Sequence, residues 1–576
     1  MNKKLEEYSR EELIEEIKAL KRRKKFGLVW EDKKEDVVER CKNEIPIIFE
    51  VEDKKIENAP GEPTNLIIEG DNYEALSVLN YTHHGKIDVI YIDPPYNTGN
   101  KDFIYNDSYV DSEDSFRHSK WLSFMDRRLR VARELLSDDG VIFISIDDNE
   151  QAQLKLLCND IFGENNYITS FVWEKTQHFG RQKKNYYSNC EYVLCYGKEL
   201  ISNNGLKELL VEYVKTDFQD APLYNASNPE NVLTFPANST RFNISDGEYY
   251  SSKDEKFKLL DKVIVKNSRN VNDFRLKFKS RWSPKKVIDE YSKGTMYWIK
   301  SENFSVRAIY GSDKTFSESP KQIIFTNNKN ELVSKNRFGV KVGTNESATA
   351  ELLSLGINGF SYPKPVSLIM YLISLVNSGV TVLDFFAGSG TTGQAILELN
   401  KEDDGNRKFI LCTNNENQIA ENVTYRRIKT VVTGVRPDGT KYSDGISANV
   451  RYFKTGYVEK GKTNDSTRKK LFDKIEDMIR VRENVFEKIS ENENYIFFKN
   501  KEKFVAIIKD PFNLGSTWYE LEKADEENLP VKLYVFSYSS YSFEDEIPET
   551  DLPYEICAVP NNVMEVYHKT IEKEDK

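Results

Sequence analysis

KIDVIYIDPPYNTG, residues 86–99, is an apolar run that stops at an acid, two prolines and a tyrosine. Ile87, Val89, Ile90, Tyr91 and Ile92 form a nearly continuous apolar stretch, which predicts a strand buried on both faces. The same signature recurs on either side. NLIIEGD (65–71) is an apolar run ending in Gly-Asp, and GVIFISIDD (140–148) is another buried strand. SKWLSFMDRRLRVARELL (119–136) has helical period, and FVWEKT (171–176) and EYVLCYGK (191–198) read as further strands. Strand alternating with helix predicts βαβ units around a parallel sheet, an α/β fold.

The pattern breaks between about 200 and 355 and then resumes. SYPKPVSLIMYLISLV predicts a helix from 362, TVLDFFAGSGTTGQA (381–395) a strand, Gly-rich turn and helix, and RKFILCTNN (407–415) the next strand. The expected organisation is an N-terminal helical or association segment (1–64), a first half of the α/β core (65–200), an inserted domain (201–355), a second half of the core (356–435) and an α+β C-terminal domain (436–576). Residues 1–30 read as one charged helix with Leu13, Ile17 and Leu20 on a stripe. LFDKIEDMIRVRENVFEKI, within 467–490, reads as another, with Leu471, Ile475, Met478 and Ile479 as a packing face. Both helices are candidate self-association elements.

Composition narrows the class. Hydrophobic residues make up 39% and aromatic residues 12% of the 576, enough for real cores and unlike a disordered chain. The net charge of −11 disfavours a polyanion binder over the whole surface. The charged N-terminus does not read as a signal peptide, and no run of about 18 apolar residues predicts a membrane span. The six cysteines are scattered without a CxxC and His is rare, which predicts no metal site and suits a reducing, cytoplasmic location.

Two turns carry chemistry. In LDFFAGSGTT (383–392) a strand delivers Asp384 to its carboxyl end, and Gly388 and Gly390 let the backbone approach a ligand at a helix start near Thr391. The turn lacks GxxxxGK[ST], which disfavours a nucleoside triphosphate loop. In IDPPYNTG, Asp93 supplies a carboxylate, Pro94 and Pro95 supply carbonyls without competing N–H groups, and Tyr96 supplies an aromatic face. Two acceptors and a stacking plate match an exocyclic amine on a planar base. Between about 251 and 345, Lys and Arg exceed Asp and Glu roughly two to one, an electrostatic footprint for phosphate contact. FRLKFKSRWSPKK (274–286) alternates basic and aromatic residues and is the stretch best suited to face a groove.

Together the two motifs resemble the amino-group DNA methyltransferases. The order, DPPY before FxGxG, resembles their β class. EGDNYEAL (69–76), DPPYNTG (93–99), HSKWLSFMDRRLRVARELLSDDGVIFISIDDNE (118–150), FVWEKT and DFFAGSGTTGQA (384–395) resemble the modification (Mod) subunit of Type III restriction–modification systems. The resemblance implies a Rossmann-like, circularly permuted methyltransferase core with an inserted target-recognition domain. It implies S-adenosyl-L-methionine as cofactor and sequence-specific transfer of its methyl group to adenine N6 in duplex DNA, with Asp93, Pro94, Pro95 and Tyr96 catalytic. N4-cytosine methylation, a solitary regulatory methyltransferase and a catalytically silent DNA-recognition subunit stand as alternatives.

For the cofactor, the resemblance assigns Asp71, at the end of a strand placed beside the DPPY strand, to the adenine. It assigns Pro365 to a helix closing over the methionine end, and Asp384, Phe386, Ala387, Gly388, Ser389, Gly390 and Thr391 to the loop. Lys364 reads as a solvated lysine. Thr413, Asn414 and Asn415 stand where the family places a ribose-binding acid. Either Glu416 reaches back or the amides replace it. The implied partners are double-stranded DNA, a second copy of the chain in a homodimer and a helicase–nuclease (Res) subunit on another chain.

Overall fold

The apolar runs assemble one large mixed sheet, seen in a computed structural model that describes residues 9–10, 28–100, 102–106, 108–177, 187–202, 205–215, 220–309, 315–326, 334–336, 338–376, 379–525, 527–538, 543–547 and 549–574. The N-terminal helix expected over 1–30, with its stripe at Leu13, Ile17 and Leu20, lies almost wholly outside the described residues. The chain divides into two units, 211–319 and the remainder.

In the larger unit the strands are β1 (Glu44–Glu50), β2 (Thr64–Glu69), β3 (Ile87–Ile92), β4 (Leu136–Ile146), β5 (Tyr167–Glu174), β6 (Cys190–Gly197), β7 (Ile323–Ile324), β8 (Thr381–Asp384), β9 (Lys408–Thr413) and β10 (Asn449–Glu459). They lie in the order β1-β10-β2-β9-β8-β3-β4-β6-β5-β7, with Ile56–Glu57 also pairing with β10. The six from β10 to β4 run parallel. Their side chains are buried on both faces, under two hydrophobic clusters, which is why these segments read as continuous apolar runs. The helices that position the site are α1 (Asn72–Thr82), α2 (Arg117–Leu135), α3 (Val366–Ser374) and α4 (Thr391–Asp403).

β3 and β8 are neighbours, Val89 opposite Val382 and Ile90 opposite Leu383, although almost 300 residues separate them in the chain. Asp88 helps weld them. Its carboxylate accepts the Thr381 N–H at 2.9 Å and the Ser137 hydroxyl at 3.2 Å. Asp71 does not end a neighbour of the DPPY strand: β9 and β8 stand between β2 and β3. Segments that read as flanks also enter the sheet. β1 carries Pro46, which the sequence rule confines to an edge, and an edge is where it lies. Residues 320–355, read as part of the insertion, supply the edge strand β7 and the helix Asn345–Ser354 to the larger unit. Helix α3 begins at Val366 rather than 362, because Pro363 and Pro365 disfavour helical backbone before them; Pro365 is its N-cap.

Beyond β10, five strands (Glu487–Glu491, Tyr495–Lys499, Phe504–Ile508, Val531–Phe536, Tyr554–Val559) form a second sheet with helices Leu514–Ala524 and Asn561–Glu574. The helix expected over 467–490 is instead two, Asn464–Phe472 and Glu476–Glu483, followed by a strand. Asn484, at φ 54°, ends the second. Leu471, Ile475, Met478 and Ile479 do form a packing face, but each is at most 1% exposed and packs in this chain's own core. That face is not available for self-association. Among the described residues no helix is long and apolar enough to cross a membrane.

The smaller unit packs a seven-stranded sheet and a three-stranded sheet, with helix Pro284–Ser292, around one core that includes Phe235, Phe242, Phe274, Phe278, Tyr297 and Ile299.

Ile479→Ala is therefore expected to lower unfolding stability by about 2–5 kcal/mol, the usual loss for a buried aliphatic truncation, and to leave the particle mass unchanged. Urea denaturation with light scattering checks this. Unchanged stability with a lighter particle would show that Ile479 faces another subunit.

Candidate active site

The strand β8 ends at Asp384, and the chain turns through Phe385–Gly390 into α4. Gly388 and Gly390 have φ of 48° and 77°, the left-handed region that favours glycine. A Cβ on Gly390 would meet the Thr424 methyl at 3.2 Å and its Cα at 3.4 Å. The loop is braced from within. Asp384 accepts the Phe386 N–H at 3.0 Å and the Thr392 hydroxyl at 2.6 Å, so its carboxylate turns into the loop rather than out of it. Burial pushes that carboxyl up to about 7. Ala387 N–H donates to the Cys412 carbonyl at 3.1 Å, and the Thr424 hydroxyl donates to the Gly388 carbonyl at 2.6 Å. Beneath the turn Arg427, fully buried, donates to the Ser389 hydroxyl at 3.0 Å and the Thr391 hydroxyl at 2.8 Å. Among the described residues the N–H groups of Gly388 and Ser389 donate to nothing, beside the positive end of α4.

The adjacent turn begins at Asp93. The Pro95 carbonyl is not left for a ligand: the Trp121 indole of α2 donates to it at 2.7 Å. The Pro94 carbonyl accepts no hydrogen bond among the described residues. Asn97, buried at φ 55°, donates to the Glu150 carboxylate at 2.5 Å, where His118 also lies at 2.6 Å. These contacts fix the exit of the turn and therefore the direction of Tyr96.

Lys364 is the residue whose sequence reading changes most. It is not solvated: its side chain is 7% exposed, and its ammonium donates to both Asp93 oxygens at 2.9 Å and to the Tyr96 hydroxyl at 2.9 Å. It also pairs with Glu191 of β6 at 3.4 Å, and Glu191 pairs with Lys175 at 3.2 Å. The Tyr96 hydroxyl lies 2.9 Å from Asp93 and 3.1 Å from Glu191, so its one proton serves either carboxylate. Two carboxylates and two ammonium groups thus balance. Burial pushes the Asp93 carboxyl above its usual range, against the pull of Lys364. Burial also opposes the Glu191 charge, but Lys364 and Lys175 outweigh it and hold that carboxyl below its usual range. The two acids in turn outweigh burial at Lys364 and raise its pKa. Glu191 and Lys175 had no local sequence signal; they sit in or just past ordinary strands.

The two turns are joined. The Thr391 hydroxyl donates to the Lys364 carbonyl at 3.3 Å, and Glu351 accepts the Val366 N–H at 3.2 Å, which holds Pro365 against the Gly-rich helix. On the other flank Asp71 caps α1, accepting the Tyr73 N–H at 2.7 Å, and pairs with the fully buried Arg128 at 3.4 Å. Arg128 is held by Glu35 at 2.6 Å and stacks on Phe124, whose ring lies 5.8 Å from that of Phe386. Asn72 donates to the Phe385 carbonyl at 3.2 Å. Asp71 keeps 37% of its side-chain surface, so it both caps a helix and presents a carboxylate edge near the loop. Glu416 is exposed just past β9, in a short 3₁₀ turn.

A parallel sheet that carries these two turns on adjacent strands is the core of an α/β methyltransferase. The chain belongs to the N6/N4 DNA methylase family: the family model, described as DNA methylase, matches residues 87–424. It is 32% identical to the Type III restriction-modification enzyme StyLTI Mod subunit of Salmonella typhimurium, over 64% of this chain and 55% of that protein. It is 30% identical to the Type III restriction-modification enzyme EcoPI Mod subunit of Escherichia phage P1, over 61% of this chain and 58% of that protein. The Type II methyltransferase M.KpnI of Klebsiella pneumoniae is 33% identical over 62% of this chain and 82% of its own length. The chain thus spans a little over half the length of the two Mod subunits.

Removing one member of a buried ion cluster strands the others. Lys364→Met is expected to lower unfolding stability by about 3–5 kcal/mol at pH 8. The loss shrinks toward pH 5, because the raised Asp93 carboxyl takes up a proton in the folded variant and sheds its unpaired charge. Adding Glu191→Gln restores part of the loss. Denaturant titrations at both pH values check this; a loss under about 1 kcal/mol at each would show that the cluster is not held as described.

Proposed function

We propose that this chain transfers a methyl group from S-adenosyl-L-methionine to adenine N6 in duplex DNA, as the modification and DNA-recognition subunit of a Type III restriction–modification system. The observation that carries the reading is the Asp93 carboxylate at the mouth of β3, held by Lys364, beside the Gly388 and Ser389 N–H groups, which donate to nothing among the described residues. The residues fit the cofactor. Two left-handed glycines make a close backbone approach, free N–H groups at a helix N-terminus suit its carboxylate, and Asp71, Pro365 and Phe386 line the flanks. Glu416 is the acid nearest in sequence to β9 for the ribose. Bound there, S-adenosyl-L-methionine supplies an electrophilic methyl on a sulfonium.

The target amine lies inside the duplex stack and must be flipped out, at a cost of a few kcal/mol. Tyr96 offers a ring to stack on the base. A carboxylate has about four lone-pair positions; Lys364 takes one on each Asp93 oxygen and the Tyr96 hydroxyl a second on one of them, which leaves one for an amine hydrogen. The Pro94 carbonyl accepts the second hydrogen. Both bonds orient the nitrogen lone pair and raise its electron density. The amine needs no prior deprotonation; its extra proton leaves after the methyl has moved. Lys364 keeps Asp93 an acceptor by favouring its charged form, and no nucleophilic cysteine is required. Catalysis is then mainly positioning and electrostatics.

The acceptors serve a cytosine N4 amine as well, and the likeness to the two Mod subunits favours the Type III reading over a solitary enzyme. A separate helicase–nuclease subunit and a homodimer rest on that likeness.

Asp93→Ala is expected to lower methyl transfer at least about 10²–10³-fold while DNA and cofactor affinities change little. Transfer of labelled methyl to duplex DNA, followed by nucleoside analysis, checks both points. Label in N6-methyladenine supports the reading; N4-methylcytosine overturns the base assignment, and wild-type turnover in the variant overturns the role of Asp93.

A further inference from the structure

In the 211–319 unit, Val263–Lys266, Arg269–Asn270, Thr240–Phe242, Met296–Ile299 and Val306–Ile309 lie side by side in one sheet. Residues directly opposite on neighbouring strands share a face. Lys266 stands opposite Arg269, Arg269 opposite Arg241, Arg241 opposite Trp298, and Trp298 opposite Arg307. The five make an unbroken row across five strands, roughly 19 Å from end to end at about 4.8 Å per strand. Their chain neighbours Val265, Asn270, Phe242, Tyr297 and Val306 are buried, so the row faces outward. Lys266, Arg269 and Arg241 are exposed, and Trp298 and Arg307 half-buried. Two cations attend the Trp298 ring: the Lys300 ammonium lies 4.1 Å and the Arg241 guanidinium 5.9 Å from its centroid.

Like charges directly opposite on a sheet destabilise it. Lys266, Arg269 and Arg241 stand in that relation without an ion pair among the described residues. Asp246, whose charge is felt by Lys266, is taken up by the N–H groups of Asn267 and Ser268 at 2.8 and 3.2 Å. The strand Phe274–Lys279, part of the stretch 274–286 that the sequence marked as basic, also sets Lys277 opposite Lys258, but it differs in its ion pairs. Phe274, Leu276 and Phe278 are core, Arg275 is held by Asp261 at 2.7 and 2.8 Å, and Lys277 by Glu230 at 2.9 Å. Two of its three cations are thus ion-paired, and Lys279 donates to the Ala226 carbonyl at 3.2 Å.

We propose that the Lys266–Arg269–Arg241–Trp298–Arg307 row is a phosphate-contact surface for duplex DNA, and that the Phe274–Lys279 face is not. The proposal rests on the DNA-methyltransferase reading above and assigns the backbone contact to one face of one sheet. A duplex presents one negative charge per about 1.7 Å of axis, which complements three cations on adjacent strands, Lys266, Arg269 and Arg241, that have no ion pair among the described residues. The Trp298 ring, cation-flanked and half-exposed, packs against sugar or a groove wall. Because phosphates carry no sequence, this face sets affinity and register rather than base choice.

The test is binding of the full chain to duplex DNA over a series of salt concentrations, using a duplex it methylates and an unrelated one. Arg241→Ala with Arg269→Ala is expected to weaken both equally and to reduce the slope of log affinity against log salt by about 2, at about 0.9 per phosphate contact. Its melting temperature is expected to hold or rise, since a repulsion is removed; Arg241→Gln with Arg269→Gln keeps the side-chain stems if alanine unsettles the sheet. Arg275→Ala with Lys277→Ala is expected to leave the slope unchanged. An unchanged slope in the folded Arg241/Arg269 variant, with wild type binding normally, overturns this surface alone. A wild type without affinity for duplex DNA overturns the functional reading as well.

Discussion

The Lys364 ammonium, set between the carboxylates of Asp93 and Glu191, is the contact on which the arrangement of the site depends. It joins a turn after β3, a strand of the antiparallel side of the sheet and the segment that leads into α3, positions as much as 271 residues apart. Without it two acids would lie buried beside each other, and the expected response is protonation of one. With it the charged form of Asp93 is favoured against the burial that pushes its pKa up. Lys175 completes the balance on the far side of Glu191, so the cluster brings no net charge into the protein.

The sheet makes that contact possible. β3 and β8 are adjacent and parallel, so the acid-proline turn and the glycine turn open on the same edge. The segment that leads into α3 runs across both: its Lys364 side chain reaches Asp93, and its Lys364 carbonyl takes the Thr391 hydroxyl. Arg427 below and Arg128 to the side hold the two walls of the loop through charged hydrogen bonds, so little of the loop's shape depends on the ligand itself.

Much of this was legible from local sequence. An apolar strand ending in Asp-Pro-Pro-Tyr and another ending in Asp-x-x-Ala-Gly-x-Gly declare their turns through proline's missing N–H and glycine's left-handed backbone, both intrinsic to the residues. Lys364 was not legible, since a lysine between two prolines looks the same whether it meets water or a carboxylate 271 residues away. Glu191 and Lys175 were hidden for the same reason. β1 and β10 were missed because an edge pair needs only a short apolar run, and the helix over 467–490 was overextended because Asn484 gives a weaker stop than glycine. The basic strand at 274–279 shows the limit of counting charge: only the folded structure shows that Arg275 and Lys277 already have acidic partners.

The central claim, that Lys364 keeps Asp93 ionised for the target amine, is tested most directly by the pH dependence of single-turnover methyl transfer in wild type and Lys364→Met. Asp93 is the stronger acceptor when charged, and once protonated one of its oxygens becomes a donor, so the rate falls as pH drops through its pKa. Removing the ammonium raises that pKa further, and the acid limb of the variant is predicted to move to higher pH. A limb at the same pH in both proteins, with the variant folded and bound to DNA and cofactor, would contradict the account.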